Sequence, residues 1–492
     1  MRMYLESIYG RGDGIPRILF GFCVSLALCA AVNRSIFYAL IITSALWMLV
    51  LFIKGEKGLW LSYLFLVFLL PINLFIPRAL LSEGQYASQY FLRILLFLGV
   101  FAFWMLLILR REIKTGLTGE FIVKVLIIFL GMEMVSFLIL RDRSMPFSQW
   151  LTVSRDFNDQ GMSLLMFFLT VSLCRTKSSI EKAVIAFAAS APLVLGFGFL
   201  EKLSGSALFS IRDLALSEFT QVTSTFHDPN FLSRHAAILI LLFCPFYLYG
   251  GFNRVWSLIL ALSSFILMVF TRSTSGFVSL ILGITIIFIN RRQYMGGKTG
   301  PSDYKKALSN GMVWYVLLIL LPVAIMPIHT DITNYFNINM NKLSSFEGSA
   351  RYNMDMAAAE MFKASPVFGV GFSKFSSLYF IFNPLYNAWG AGGDHIIIHN
   401  SFMKVASEMG ILGLIPLFIM YIYFAKAALL DARKIKDDFL RRLQLSLGAI
   451  WIALIVNSLA YFKFFEDPKV WFIAGLILAI QRAAGSEAAK IG

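Results

Sequence analysis

The chain is written as long apolar runs punctuated by short polar segments. A helix needs roughly 20 residues of low polarity to cross a bilayer. On that rule the runs predict spans at 18–32, 35–53, 59–76, 91–109, 121–140, 161–174, 183–200, 236–250, 255–270, 276–290, 312–328, 401–425, 444–462 and 469–481. The expected fold is an all-α polytopic membrane protein with about 14 transmembrane helices. Long polar stretches at 141–160, 201–235 and 329–400 read as loops. The expected division is an N-terminal transmembrane bundle over 1–328, a loop with an amphipathic helix over 329–400, and C-terminal spans over 401–492. No internal repeat is visible.

Composition supports the pattern. The chain is 58% hydrophobic and 14% charged, with 48 Phe among 492 residues. A soluble domain carries about 25% charged residues. The first apolar run begins near Arg17 without a small-residue cleavage site, so it is expected to remain as a span. The net charge of +15 would raise nucleic acid as a partner in a soluble protein. Here it reads as loop lysines and arginines facing anionic membrane lipid, with no nucleic acid expected.

Charge placement also orients the chain. Basic residues gather in alternate loops, at Lys54 and Lys57, Arg110 to Lys114, Arg175 to Lys182, Arg291 to Lys306, and Lys426 to Arg442. The positive-inside rule then puts both termini in the cytoplasm and the long loops outside. The five histidines, His227, His235, His329, His395 and His399, fall on or beside the outer face. Cys23, Cys29, Cys174 and Cys244 all lie in apolar runs, so no disulfide framework or metal cluster is expected. The segment GGKTGPSDYKK lacks the upstream glycine and strand of a nucleotide loop, which argues against ATP. The run DARKIKDDFLRRLQ mixes both signs and is expected to lie at the lipid surface.

Candidate chemistry centres on Ser349–Gly413. Arg351 opens an amphipathic helix whose Met354, Ala358 and Met361 share one face, which would direct Arg351 inward. The chain then turns at Pro366, Gly369 and Gly371, where the absent Cβ permits φ > 0. His399-Asn400 stands at the mouth of the next span. Lys404 and Glu408 follow at i,i+4 and are expected to pair inside the protein. An imidazole and a guanidinium at one membrane face suit a lipid-linked diphosphate, because arginine holds two phosphate oxygens with a planar fork. A structural ion pair and a snorkelling arginine are the plainer readings of these residues.

A second cluster lies in QVTSTFHDPNFLSRHAA, where His227, Asp228, Asn230, Arg234 and His235 crowd one loop and helix start. Its spacing matches no familiar zinc motif, so no metal is assigned. Arg272, in the tight turn TRSTSG, is a further phosphate candidate, as is Arg93. Glu133 lies mid-span and needs a partner.

These residues together resemble the O-antigen ligase and Wzy-type polymerase superfamily. The resemblance rests on Arg351, Pro366, Phe368-Gly369-Val370-Gly371-Phe372, His399-Asn400-Ser401-Phe402 and Glu408-Met409-Gly410-Ile411-Leu412-Gly413, with TSTFHDPNFL upstream. It departs at residues 271–276. The family often has Ser-Arg there, whereas here Arg272 precedes Ser273, and Thr274-Ser275 stand at the Ser-Arg position.

The resemblance implies the polytopic class of glycosyltransferases that use lipid-linked sugar donors, with no cofactor. It implies transfer from an undecaprenyl-diphosphate oligosaccharide at the periplasmic face of a bacterial inner membrane, with a chain-length regulator protein as a candidate partner. His399 would be the catalytic base. Arg351, Arg272, Arg234, His227, Asn230, Asn400 and Glu408 would serve the diphosphate and sugar. A polymerase would join repeat units, and a ligase would pass the polymer to lipid A-core. A flippase is the alternative of another class; it would show broken helices with ionisable residues at mid-membrane. From the sequence only Glu133 sits squarely there.

Overall fold

The computed structural model describes residues 55–72, 99–110, 120–139, 147–205, 221–226, 228–295, 350–383, 398–460 and 464–491. The predicted spans at 18–32, 35–53 and 312–328 lie outside them, as do His227, His329, His395 and Arg93. The chain forms two compact units, Met1–Val67 with Leu74–Lys114, and Phe68–Asn73 with Thr115–Gly492.

Helix α1 (residues 55–69) begins the described chain in the first unit, its last two residues counting with the second, and α2 (Gly99–Leu109) belongs to the first. Helix α2 is buried at Val100, Phe103, Trp104 and Leu107, the i, i+3, i+4, i+7 stripe of a one-faced helix. Phe101, Met105 and Leu109 are exposed on its other side.

The second unit is a helical bundle. In order it contains α3 (Phe121–Ile139), α4 (Phe147–Leu173), α5 (Lys177–Ala189), α6 (Ala191–Ser204), α7 (Pro229–Tyr249), α8 (Arg254–Thr271), α9 (Thr274–Ile289), α10 (Ala350–Ala364), α11 (Phe375–Phe382), α12 (Ser401–Leu429), α13 (Asp438–Ser458) and α14 (Pro468–Ile491). Helix α7 packs on α8, α9 and α13, α12 on α3, α10 and α13, and α14 on α4.

Among the described residues, 6 segments are long and apolar enough to cross a membrane: Phe121–Leu138, Lys177–Ser204, Pro229–Tyr249, Arg254–Thr271, Ser401–Lys434 and Asp438–Ser458. Several outer faces are plainly made for lipid. On α12, Ile411, Ile415, Phe418 and Ile422 form an exposed stripe at helical spacing. Lipid is as apolar as these side chains, so helix association inside it rests on packing and hydrogen bonds. Gln444 supplies such a bond on both sides. Its Nε2 donates to Ala427 O at 3.1 Å and Ile477 O at 3.2 Å, tying α12, α13 and α14 together.

Local sequence sets the helix ends. Asp228 caps α7, accepting from Asn230 N at 2.7 Å, with Pro229 at the first position. Asp437 caps α13 through Leu440 N at 2.9 Å and holds Lys177 at 2.8 Å. Burial lifts the Asp437 carboxyl, but the bonds from Lys177 and Leu440 outweigh it and hold the group below its ordinary range.

One expectation is corrected and two are refined. Residues 147–160 are not a loop; they are the first half of α4, where Phe147, Trp150, Val153 and Phe157 recur in the sequence at the three- to four-residue spacing of a helix. The predicted span 183–200 falls inside Lys177–Ser204, which is long and apolar enough to cross a membrane, but it is built of two helices that abut at Ser190, where Pro192 enters the first turn of α6. The DARKIKDDFLRRLQ run, expected at the lipid surface, is not one continuous helix. It is a single tight turn at Asp431–Lys434 followed by the first two turns of α13, which carry Gln444 into the core.

Candidate functional site

The entrance of α12 is built around its cap. Asn400 Oδ1 accepts from Phe402 N and Met403 N, both at 3.1 Å, which satisfies two otherwise orphaned donors. His399, the residue before the cap, is half-buried. The Asn400 side chain also bonds Asp355 of α10, and the Arg351 charge one turn earlier acts on the same carboxyl. Burial pushes Asp355 up to about 6, against those two opposing influences. Asn400, Asp355 and Arg351 thereby meet at one helix mouth, and His399 is the next residue along the chain.

The amphipathic reading of α10 holds. Ala357, Ala358 and Met361 are buried with Met354 alongside, against Phe375, Tyr379, Ile398 and Met403. Arg351 does not point inward as expected; it is exposed, because the apolar stripe occupies the packed side. Asp355 was missed in the sequence. The one available signal was its position four residues after Arg351, on the same helical face.

Ten residues into α12 the helix breaks. Gly410 has φ 63° and ψ −155°, a conformation essentially reserved for glycine. The freed backbone groups are taken up by the 366–371 loop. Val370 N donates to Ser407 O at 2.8 Å and Gly371 N to Glu408 O at 3.1 Å. In return Ile411 N donates to Pro366 O at 2.8 Å and Leu412 N to Val367 O at 3.3 Å. A Cβ on Gly369 would collide with the Glu408 and Met409 backbone, and one on Gly410 with Val367. These glycines are therefore demanded by close approach as well as by turning.

Ionisable side chains line the same level. Lys404 Nζ lies 2.8 Å from Glu466 Oε1 and 3.9 Å from Asp156 Oδ2. Its first partner is thus Glu466 and not Glu408, because the chain before α14 folds back beside α12. Glu408 instead accepts from Phe375 N at 3.2 Å and helps fix the loop. Glu133 finds its partner in Gln160, whose Nε2 donates at 2.8 Å.

The second cluster is arranged differently. Asn230 Oδ1 accepts from Ser273 Oγ at 2.7 Å, and Ser273 caps α9. The start of α9 lies so close to α7 that a Cβ on Gly276 would strike Ser233. Arg272 is half-buried in the left-handed conformation, φ 54°, and ends α8. Arg234 is buried with its Nη2 2.7 Å from Asp467 Oδ2, and Lys469 Nζ lies 3.5 Å from the same oxygen. Glu466-Asp467 is the second feature that sequence reasoning missed. One carboxylate reaches Lys404 on α12 and the next reaches Arg234 on α7. Asp467 also accepts from Lys469 N at 3.0 Å, at the start of α14.

Fold and site together define a multi-pass, all-helical membrane protein with a polar helix entrance bordered by arginine, carboxylate and imidazole. Residues 256–418 match the family described as O-antigen ligase. The match runs from the first turns of α8 to the middle of α12, so it takes in Arg272, Arg351, Asp355, His399 and Glu408 but not Arg234 or Asp467. The family's activity is of the ligase and polymerase type, on lipid-linked polysaccharide. No curated protein matches the chain.

Proposed function

We propose that the protein is a glycosyltransferase that joins undecaprenyl-diphosphate-linked oligosaccharide repeat units into a bacterial surface polysaccharide. The observation that carries this reading is the α12 entrance, with His399 beside the Asn400 cap and the Asp355–Arg351 helix docked on it. The donor's diphosphate is a good leaving group. Arg351, with Arg272, neutralises the charge that builds on it as the anomeric C–O bond breaks. The neutral His399 imidazole takes the proton of the acceptor hydroxyl as the new C–O bond forms, and the diphosphate leaves with the electron pair. Such base catalysis is worth about 10²–10⁴-fold. A single displacement inverts the anomeric carbon and needs no metal, because the guanidiniums carry the charge. Asn400 serves as cap and as partner of Asp355; Glu408 fixes the 366–375 loop. The site opens to the periplasm, with both termini cytoplasmic, in the inner membrane.

The test uses the purified protein in proteoliposomes with lipid-linked repeat units alone. Lengthening of the saccharide, lost in His399→Ala, supports the polymerase. Transfer only when lipid A-core is supplied makes it a ligase. No transfer under either condition, with a folded protein, overturns the reading.

One observation favours a second reading, a transporter of the lipid-linked oligosaccharide. The sequence offered only Glu133 at mid-membrane, yet a broken helix and Lys404, Glu408 and Glu466 stand beside it. Broken helices with interior charges are a transporter's signature. Movement of lipid-linked oligosaccharide across vesicles by the His399→Ala protein, with no transfer by wild type, would favour it.

A further inference from the structure

The interior cluster carries more acid than base. Four elements converge on it: α3 with Glu133, α4 with Asp156 and Gln160, α12 with Lys404 and Glu408, and the chain before α14 with Glu466. Lys404 pairs with two of these four carboxyls, Glu466 at 2.8 Å and Asp156 at 3.9 Å. Neutral donors satisfy part of the remainder, namely Gln160 to Glu133, Phe375 N to Glu408 and Ser373 Oγ to Asp156 at 2.7 Å. Two carboxyl oxygens stay bare. Glu133 Oε2 and Glu466 Oε2 are buried and have no hydrogen-bond partner, and Glu133 is only 2% exposed. The charges felt by Glu133 are those of Glu466, Lys404 and Glu408.

Carboxylates cannot all remain ionised and unpaired in a membrane interior; they pair, bind a cation or take up a proton. Among the described residues no three acidic, His or Cys groups are disposed to hold a metal ion. The geometry points to a proton-holding site in the membrane interior, with Glu133 as the exchanging carboxyl and its occupancy setting the grip on the 366–375 loop.

The coupling is mechanical and short. Ser136, one turn beyond Glu133 on α3, donates to Glu408 O at 2.9 Å and accepts from Phe372 N at 3.1 Å. Gln160 and Asp156 lie one turn apart on α4; the first holds Glu133 and the second holds Ser373. A proton gained or lost at Glu133 redistributes Lys404 between Glu466 and Asp156, and Asp156 carries the change to the loop. Access to solvent is through Asp156, whose side chain is 27% exposed.

The experiment does not depend on transferase activity, so it can fail while the proposed function stands. Infrared spectra of the purified wild-type protein in D₂O should contain a carboxylic-acid C=O band at neutral pH that bleaches as pH rises. Glu133→Gln should remove that band. Amide exchange of residues 366–375, followed by mass spectrometry, should change with pH over the same range in wild type and be flat in Glu133→Gln. Should Glu133→Gln fail to fold, Glu466→Gln should shift the pH at which the wild-type band bleaches. Absence of a protonated-carboxyl band, a band unchanged in both variants, or loop exchange that follows Na⁺ replacement by choline and not pH would each overturn the inference.

Discussion

The start of α12 and the start of α7 face the same connecting dipeptide with opposite charge balance. On the α12 side Lys404 is outnumbered by carboxyls. On the α7 side Arg234 and Lys469 both lie against the carboxylate of Asp467. The α7 side is closed, with Ser233, Arg234 and His235 all buried and Asn230 bonded to Ser273. The α12 side is half open at His399, Asn400 and Asp355. A closed, directly paired site is a brace. A half-open site with a helix break and surplus acid is suited to chemistry and to change.

The comparison can be broken most sharply at His399. His399→Ala should lower transfer about 10²–10⁴-fold, with the melting temperature in detergent little changed, since the cap is the neighbouring Asn400. Next comes the brace. Asp467→Ala leaves Arg234 buried without its carboxylate and should cost about 3–5 kcal/mol in denaturant unfolding. The double variant Arg234→Ala/Asp467→Ala should recover part of that loss. If the folded double variant binds lipid-linked donor far more weakly than wild type, Arg234 is a donor ligand, as the sequence led one to expect, and the α7 side is more than a brace.

A smaller effect is expected at the helix break. Gly410→Ala should destabilise by about 1–3 kcal/mol, because φ 63° with ψ −155° is strained for any residue with a Cβ. Gly131→Ala is the control. It lies inside α3 with nothing within 4 Å of an added Cβ. It should be neutral or stabilising by about 0.5–1 kcal/mol in thermal unfolding.

The smallest effect is a pH slope. Asp355 is raised from 3.8 to about 6 in the folded protein. The native state then holds the proton more tightly than the unfolded chain. Its stabilising contribution is complete below the ordinary carboxylate range, declines as pH rises from 3.8 to about 6, and changes no further above. Asp355→Asn should flatten that segment of a stability–pH curve. An unchanged slope would detach Asp355 from the entrance.

Much of this was legible before any coordinates. The apolar runs of α8, α9 and α12 were located closely, whereas α7 begins at Pro229 and α13 at Asp438, ahead of the predicted 236 and 444, because their polar first turns do not look apolar. Apolar run length is a property of consecutive residues. The apolar face of α10 and the turns at Gly369 and Gly371 were legible for the same local reason. The first half of α4 was not, since its many polar residues imitate a loop.

What consecutive residues determined, then, was where helices run, which of their faces avoid water, and that an arginine, an imidazole and a Gly-rich turn fall in one segment. What only the tertiary structure decided was pairing. Ser136 with Glu408, Asp156 with Ser373, Arg234 with Asp467 and Lys404 with Glu466 join side chains far apart in the chain. A buried charge takes whichever partner packing brings within reach, and inside a bundle that partner is chosen by the docking of helices, which no local spacing encodes.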